Sequence, residues 1–366
     1  MILMNDFKSE TTEIKQAMLD AVRRVIDSGW YILGPEVEAF EMKFATFSGI
    51  PHVVSVGNGM DAIEIALRAL GIGPGDEVVT TPMTAFATVL AVMRAGATPV
   101  LADIDPASGL LSPTSVKRCL TSRTRALVLV HLYGQVRDMD QWQALCADTG
   151  IQLIEDCAQS HGARLSDRTA GSFGVAGAYS FYPTKNLGAL GDGGALVTRD
   201  AELANRAARL RNYGQSERYI HPEIGLNSRL DEMQAAILAV RLDRLEASTE
   251  VRRSIARRYR DGITQPRVQL LAAPQQATSH VYHLFVLLSP QRDALQAHLL
   301  ARGVQALLHY PVPVHYQSSC VDIRRDPAGL PNSESHAKQC LSLPCHPQMT
   351  DVEVQHVIDA VNSFAG

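Results

Sequence analysis

Between residues 52 and 154 the chain alternates short apolar runs with segments whose apolar positions recur every three to four residues. His52–Val56 is such a run, closed by Gly57-Asn58-Gly59, and predicts a strand followed by a tight turn. Ile63, Ala66, Leu67 and Leu70 follow at i, i+3, i+4 and i+7, one face of a helix. Glu77–Thr81, Pro99–Asp103, Ala126–His131 and Ile151–Ile154 predict further strands, with helices over Phe86–Ala95 and Gln141–Thr149. A continuous run such as ALVLVH suits a parallel strand covered on both faces. The alternation predicts an α/β fold, a mostly parallel sheet with helices on both sides.

The texture changes near Leu230. Leu230–Arg260 is Arg-rich and predicts one long helix without an internal turn. Beyond it, five prolines between Pro266 and Pro313 punctuate short strand-like pieces such as Val281–Leu288. Leu295–Ala301 and Val352–Phe364 read as amphipathic helices. Two domains are expected: a large one over residues 1–245 and a smaller C-terminal α+β one over 246–366.

Composition narrows the function classes. With 46% hydrophobic and 20% charged residues, the chain is not a disordered one. A net charge of −4 gives no general attraction to nucleic acid or anionic lipid. MILMNDFKSE lacks a signal-peptide core, and no apolar run approaches the roughly 20 residues that span a bilayer. The six cysteines include no C-x-x-C pair. A cytoplasmic protein with buried, inert thiols is expected.

Three segments could carry chemistry. Gly57-Asn58-Gly59-Met60-Asp61-Ala62 follows a strand and opens a helix, where free N–H groups and the helix dipole favour a phosphate. It also matches G-x-G-x-x-A, but that dinucleotide fingerprint wants an acid about 20 residues on, at the end of the next strand. Asp76 and Glu77 stand at that strand's other end. A plain strand-to-helix turn is the competing reading. Second, Glu155 and Asp156 lie at the end of a buried strand and point to opposite faces, so one can enter a site while the other is structural. Third, Val175–Thr198 holds five glycines and only two charges, Lys185 and Asp192. Desolvation in such company lowers a lysine's pKa and makes its amine nucleophilic. The alternative is an ordinary snorkelling lysine. Cys157 and His161, with His131 upstream, have a metal-like spacing, but no second pair completes a site and no metal is expected.

A phosphate site, a strand-end carboxylate and a desolvated lysine, in that order, are what pyridoxal phosphate requires. With GNGMDA, GIGPGDEVVTTP, HLYGQVRDMD, IEDCAQSHGA, SFYPTKNLGALGDGGALVT, LRNYGQ, LNSRLDEMQAA and HYPVPVH, the chain resembles, nearly end to end, the DegT/StrS-like sugar aminotransferases. These belong to the fold-type I pyridoxal-phosphate transferases. The resemblance implies that Lys185 forms the Schiff base, that Asp156 holds the pyridine nitrogen and that Gln159 reaches the ring hydroxyl. It implies phosphate contacts from Gly59, from the Met60 backbone (many relatives have Thr or Ser there) and from Ser180. Phe86 is the aromatic residue matching the ring-stacking segment, and Asn227 would reach the phosphate of a partner subunit in a homodimer. His309, Tyr310 and His315 either meet the sugar nucleotide or form a structural turn around two prolines.

Glutamate is the implied amino donor, and a dTDP-linked 3-keto-6-deoxyhexose the acceptor, giving the 3-amino sugar. A 4-keto substrate remains open. A sugar dehydratase of the same fold is a further reading, opposed by Lys185, since those enzymes carry histidine there. A nicotinamide oxidoreductase is opposed by the misplaced acid, and a non-catalytic regulator by the complete cofactor set.

Overall fold

The alternating pattern folds into a βα series. In the computed structural model, which describes residues 1–365, α1 (Thr12–Ser28) and α2 (Pro35–Ser48) precede the first strand. There follow β1 (His52–Val56), α3 (Gly59–Ala69), β2 (Glu77–Thr80), α4 (Phe86–Arg94), β3 (Thr98–Leu101), α5 (Pro113–Cys119), β4 (Thr124–Val130), α6 (Met139–Thr149) and β5 (Gln152–Asp156). A small hairpin, β6 (Arg164–Leu165) with β7 (Arg168–Thr169), leads to β8 (Ala176–Ser180), β9 (Gly194–Thr198) and α7 (Ala201–Leu210). The main sheet has the order β1-β9-β8-β5-β4-β2-β3 and ends on β12 (Arg324–Arg325). Only β9 runs against the others. Val78, Leu127 and Ile154 of the central strands are fully or almost fully buried, as the unbroken apolar runs require.

The C-terminal part contains α8 (Glu232–Leu242), α9 (Leu245–Gly262), β10 (Gln269–Leu270), β11 (Phe285–Leu288), α10 (Arg292–Ala301), α11 (Pro331–Gln339), β13 (Cys340–Leu343) and α12 (Asp351–Asn362). Strands β10, β11 and β13 form a separate antiparallel sheet.

Three features depart from the sequence expectation. The single long helix over Leu230–Arg260 is two, interrupted at Asp243-Arg244. Leu242 and Leu245 pack in the core of the main sheet, whereas Ile255 and Tyr259 pack with α10 and α12. The helical stretch serves two separate cores, and no Gly or Pro marks the change. Second, the N-terminus does not stay with the first 245 residues: Ile2 bridges Val304 and lies in the C-terminal core. Third, β12 crosses back to pair with β3. It is anchored by charge: Arg324 meets Glu77, and Arg118 Nε lies 2.9 Å from Asp326. Burial opposes the Asp326 charge, but Arg118 and Ser115 outweigh it and hold the carboxyl at about 2. None of these pairings has a local sequence signal.

All six cysteines are free and buried. Burial pushes the Cys119 and Cys345 thiols up to about 12, so both stay protonated and unreactive. Among the described residues no helix is long and apolar enough to cross a membrane.

Candidate active site

Strands β1, β8, β5 and β4 share one direction, so their C-terminal ends gather at one edge of the sheet. Ligands bind at that edge in open α/β sheets. Val56, Gly194 and Ser180 stand in one row across it, and Asp156 pairs with Ala178 beside them.

The glycine turn after β1 is shaped by close approach. Asn58 caps α3, its side chain accepting from the Asp61 N–H at 2.9 Å. Gly59 and Met60 are the first two helical residues, and their N–H groups have no partner among the described residues. A Cβ on Gly59 would lie 2.6 Å from the Ser180 Cβ, and one on Gly194 would lie 2.4 Å from the Asn58 carbonyl carbon. Only glycine lets the turn sit directly on Ser180. Arg94 meets the two acids of this helix, Asp61 at 3.2 Å and Glu64 at 2.8 Å, which offsets their repulsion of an anion. The Ser228 hydroxyl accepts from the Gly57 N–H at 3.0 Å and donates to Asp61 at 2.7 Å.

The adjacent carboxylates at the end of β5 divide their tasks. Glu155 is fully buried and accepts from the Gly171, Phe173 and Gly174 N–H groups at 2.7–2.8 Å, with His131 Nε2 also 2.8 Å away. It is a structural hub. A Glu155 carboxylate oxygen, a His131 ring nitrogen and the Cys157 sulfur lie within 4.8 Å of one another, a metal-like grouping. The hydrogen bonds already consume the carboxylate, and burial followed by the Glu155 charge pushes the Cys157 thiol well above its usual range. That donor set is not one for a cation. Asp156 faces the other way. Its Oδ2 accepts from the Thr88 hydroxyl at 2.8 Å and its Oδ1 from the Ala158 N–H at 3.1 Å. Thr84 stands behind Thr88, the hydroxyls 2.8 Å apart.

Lys185 lies in the loop after β8, which Phe181 and Ala189 close onto the sheet with 2.7 Å hydrogen bonds. Burial lowers its ammonium pKa to about 8, against the opposing pull of Asp156. By surface area Lys185 and Lys43 are both half-buried, and the other four lysines are exposed; Lys43 is paired with Asp243 away from the sheet edge. Three imidazoles surround this charge. Burial and then Lys185 hold His161 at about 3 and His309 at about 4, and burial, Lys185 and Arg252 hold His283 well below its ordinary value. All three are neutral at pH 7, so none adds charge beside the amine.

Gln159 links this edge to the C-terminal part. Its Oε1 accepts from the Tyr133 N–H at 2.6 Å and its Nε2 donates to the Tyr310 hydroxyl at 3.3 Å. The Tyr133 hydroxyl donates to the His309 carbonyl at 2.7 Å, and His309 Nδ1 lies 2.8 Å from the Ser342 hydroxyl. Gly59, Met60, Ser180, Asp156, Gln159, Lys185, His309 and Tyr310 thus belong to one connected region. Phe86, more than a third exposed, begins the helix that carries Thr88. Asn227 is exposed beside Ser228. His315 is engaged elsewhere, 3.2 Å from Glu334 and against Tyr316.

Thr88, Tyr133 and Ser228 escape sequence reasoning, although Tyr133 and Ser228 lie in quoted motifs and Thr88 two residues after Phe86. A hydroxyl reveals its partner only once the chain has folded. His161 carried a signal in its spacing from Cys157, but it pointed to metal; the structure shows a buried ring against Tyr179 and Phe181, beside the Ser180 backbone.

These residues fit pyridoxal phosphate on structural grounds: an open N–H pair against a serine, a carboxylate held in place by two donors, and one amine kept largely desolvated. Comparison with known proteins agrees. The chain is 46% identical to dTDP-3-amino-3,4,6-trideoxy-alpha-D-glucose transaminase of Streptomyces venezuelae, over 98% of this chain and 95% of that one. It is 42% identical to dTDP-3-amino-3,6-dideoxy-alpha-D-galactopyranose transaminase of Aneurinibacillus thermoaerophilus, over 100% and 99%. The crystal structure of S. venezuelae DesV in complex with a ketimine intermediate superposes with a TM-score of 0.95 at 45% identity, covering 99% of this chain and 97% of that one. The family model of the DegT/DnrJ/EryC1/StrS aminotransferases matches residues 12–362. The chain therefore belongs to the DegT/DnrJ/EryC1/StrS aminotransferase family, with pyridoxal phosphate as its cofactor.

Proposed function

We propose that the protein transfers the amino group of glutamate to C3 of a keto-sugar nucleotide, a dTDP-linked 3-keto-6-deoxyhexose. The observation that carries the reaction class is Lys185, the one lysine drawn into the sheet edge beside Asp156. The substrate reading is supported by the two transaminases named above.

Pyridoxal phosphate supplies the electron sink. In this reading the Gly59 and Met60 N–H groups and the Ser180 hydroxyl hold its phosphate. Asp156 would keep a proton on the pyridine nitrogen, Gln159 would meet the ring hydroxyl, and Phe86 at the start of α4 would be the aromatic residue beside the ring. Lys185, with a pKa of about 8, moves a proton at the substrate carbon that gains or loses nitrogen. His309 and Tyr310 contact the sugar as neutral hydrogen-bonding groups, burial and then the Asp156 charge pushing the Tyr310 hydroxyl up to about 12. His315 steadies the proline turn through Glu334. Incubation with glutamate and a panel of 3-keto and 4-keto sugar nucleotides tests the substrate. The expected product is a 3-amino-3,6-dideoxyhexose nucleotide; amination only of 4-keto sugars contradicts the reading.

The active unit in this reading is a homodimer. Trp30, Tyr31, Ile32, Leu190 and Met233 expose a large apolar surface around one helix start, where Glu232 N–H bonds to Tyr31 and Gln234 accepts from Leu190 N–H. Asn227 is exposed near its own glycine turn and is assigned to the partner's phosphate. A mixed dimer of Lys185→Ala and Asn227→Ala chains separates the two arrangements. If sites are shared, one carries both lesions and the other none, and about half of wild-type activity returns. Mixed dimers no better than the parents place Asn227 in its own subunit's site.

A further inference from the structure

A partly open pocket with an enclosed volume of about 80 Å³ lies beside Lys185, walled by the N-terminal residues, the Lys185 loop, the break between α8 and α9, and residues 346–348. Three of its charged groups are already engaged, and Arg244 on the same wall is exposed to solvent. Arg241 meets Glu10 at 2.6 Å. Asp6 accepts from the Lys8 and Ser9 N–H groups and the Ser9 hydroxyl. Arg252 is different. It is 6% exposed, and both of its hydrogen bonds leave from Nη1, to the carbonyls of Tyr282 and Cys345. Among the described residues its Nε and Nη2 have no hydrogen-bond partner, and both reach the open space of the pocket. A buried guanidinium without a counter-ion is costly, and its retention here requires a compensating role. Nε and Nη2 form one edge of the guanidinium, two parallel donors that match a carboxylate. His283 Nδ1 lies 3.2 Å from Oδ1 of Asn186, the neighbour of Lys185, and Arg252 bonds the carbonyl of Tyr282, the neighbour of His283, so the two cations face one pocket. A ligand whose amine end meets Lys185 therefore has the open guanidinium edge within the same cavity.

We propose that Arg252 binds the side-chain carboxylate of the amino donor and so selects a dicarboxylic amino acid over a neutral one. The inference rests on the aminotransferase reading and names the donor's contact within that site. One open edge suits one carboxylate. A nucleotide diphosphate, with more charge, would meet Glu10 and Asp6 on the same walls.

Three measurements on the holoenzyme test it. Wild-type protein should use glutamate about 10- to 100-fold better in kcat/KM than 2-aminobutyrate, which lacks the second carboxylate. Arg252→Gln should remove that preference by lowering the glutamate half-reaction by the same factor, while the half-reaction with the amino-sugar product falls less than about fivefold. Arg252→Lys, which keeps the charge and loses the fork, should lie between. Glutarate, bound without reacting, should bind at least about tenfold more weakly to Arg252→Gln by calorimetry. Wild-type protein indifferent to the second carboxylate overturns the proposal without any variant. Equal losses in both half-reactions assign Arg252 to the Tyr282 and Cys345 carbonyls alone, and a larger loss on the sugar side assigns it to the nucleotide; either result overturns it. Wild-type protein inactive in both half-reactions overturns the aminotransferase reading instead, and glutarate binding still decides for or against Arg252.

Discussion

Lys185→Ala is expected to lower turnover by roughly 1,000- to 10,000-fold, since it removes both the covalent attachment and the proton carrier at the reacting carbon. The environment of the amine makes a more specific statement. Lowering the pKa from 10.5 to about 8 raises the neutral, nucleophilic fraction at pH 7 roughly 300-fold. The sign follows from burial, which disfavours the ammonium form. When the apoprotein is mixed with pyridoxal phosphate, the rate of capture should rise with pH and level off above about 8. An ordinary lysine would keep gaining to beyond pH 10. Borohydride reduction and peptide mapping should place the label on Lys185. A label on another lysine, or a capture rate still climbing at pH 10, would sink the assignment.

Asp156→Asn should lower the glutamate half-reaction about 100- to 1,000-fold while the protein stays folded. An amide is nearly the size of the carboxylate and can still accept from the Ala158 N–H. Thr88, now facing an amide, can reorient its hydroxyl toward Thr84. The stability cost should be about 1–2 kcal/mol. What the amide cannot do is hold a positive charge on the pyridine nitrogen. A second readout is independent of turnover. The Asp156 charge favours the Lys185 ammonium, so its removal should move the midpoint of pyridoxal phosphate capture below about 8. Stopped-flow rates near those of wild type would contradict the role given to Asp156.

The order of apolar runs and helical faces from His52 to Asp156 was readable because each element is specified by its own residues. An unbroken apolar strand must be covered on both faces, and a helix beside it supplies that cover. The same locality made Lys185 conspicuous: one amine in a long apolar, glycine-rich stretch is desolvated in almost any fold. The division of Glu155 from Asp156 followed from the strand's period of two, and the structure assigns the hub to Glu155 and the open face to Asp156. Gly59 was legible as part of a turn, but its necessity comes from Ser180, more than a hundred residues away and 2.6 Å from its missing Cβ.

Contacts between distant segments left no such trace. The break at Asp243-Arg244 arises because one helical stretch packs on two cores, which no local residue announces. The return of β12 to the main sheet depends on Glu77 and Arg118, and the orientation of Asp156 depends on Thr88. Arg252 is one arginine among many in a stretch that reads as a long Arg-rich helix, and only folding reveals that its guanidinium is buried with one edge unpaired. Local patterning by itself determined the strand and helix order, the desolvated lysine and the glycine turn after β1, because period, propensity and solvation act over a few residues. Tertiary structure alone decided which hydroxyls, carbonyls and cations complete the site, because those partners meet only when segments remote in sequence are packed together.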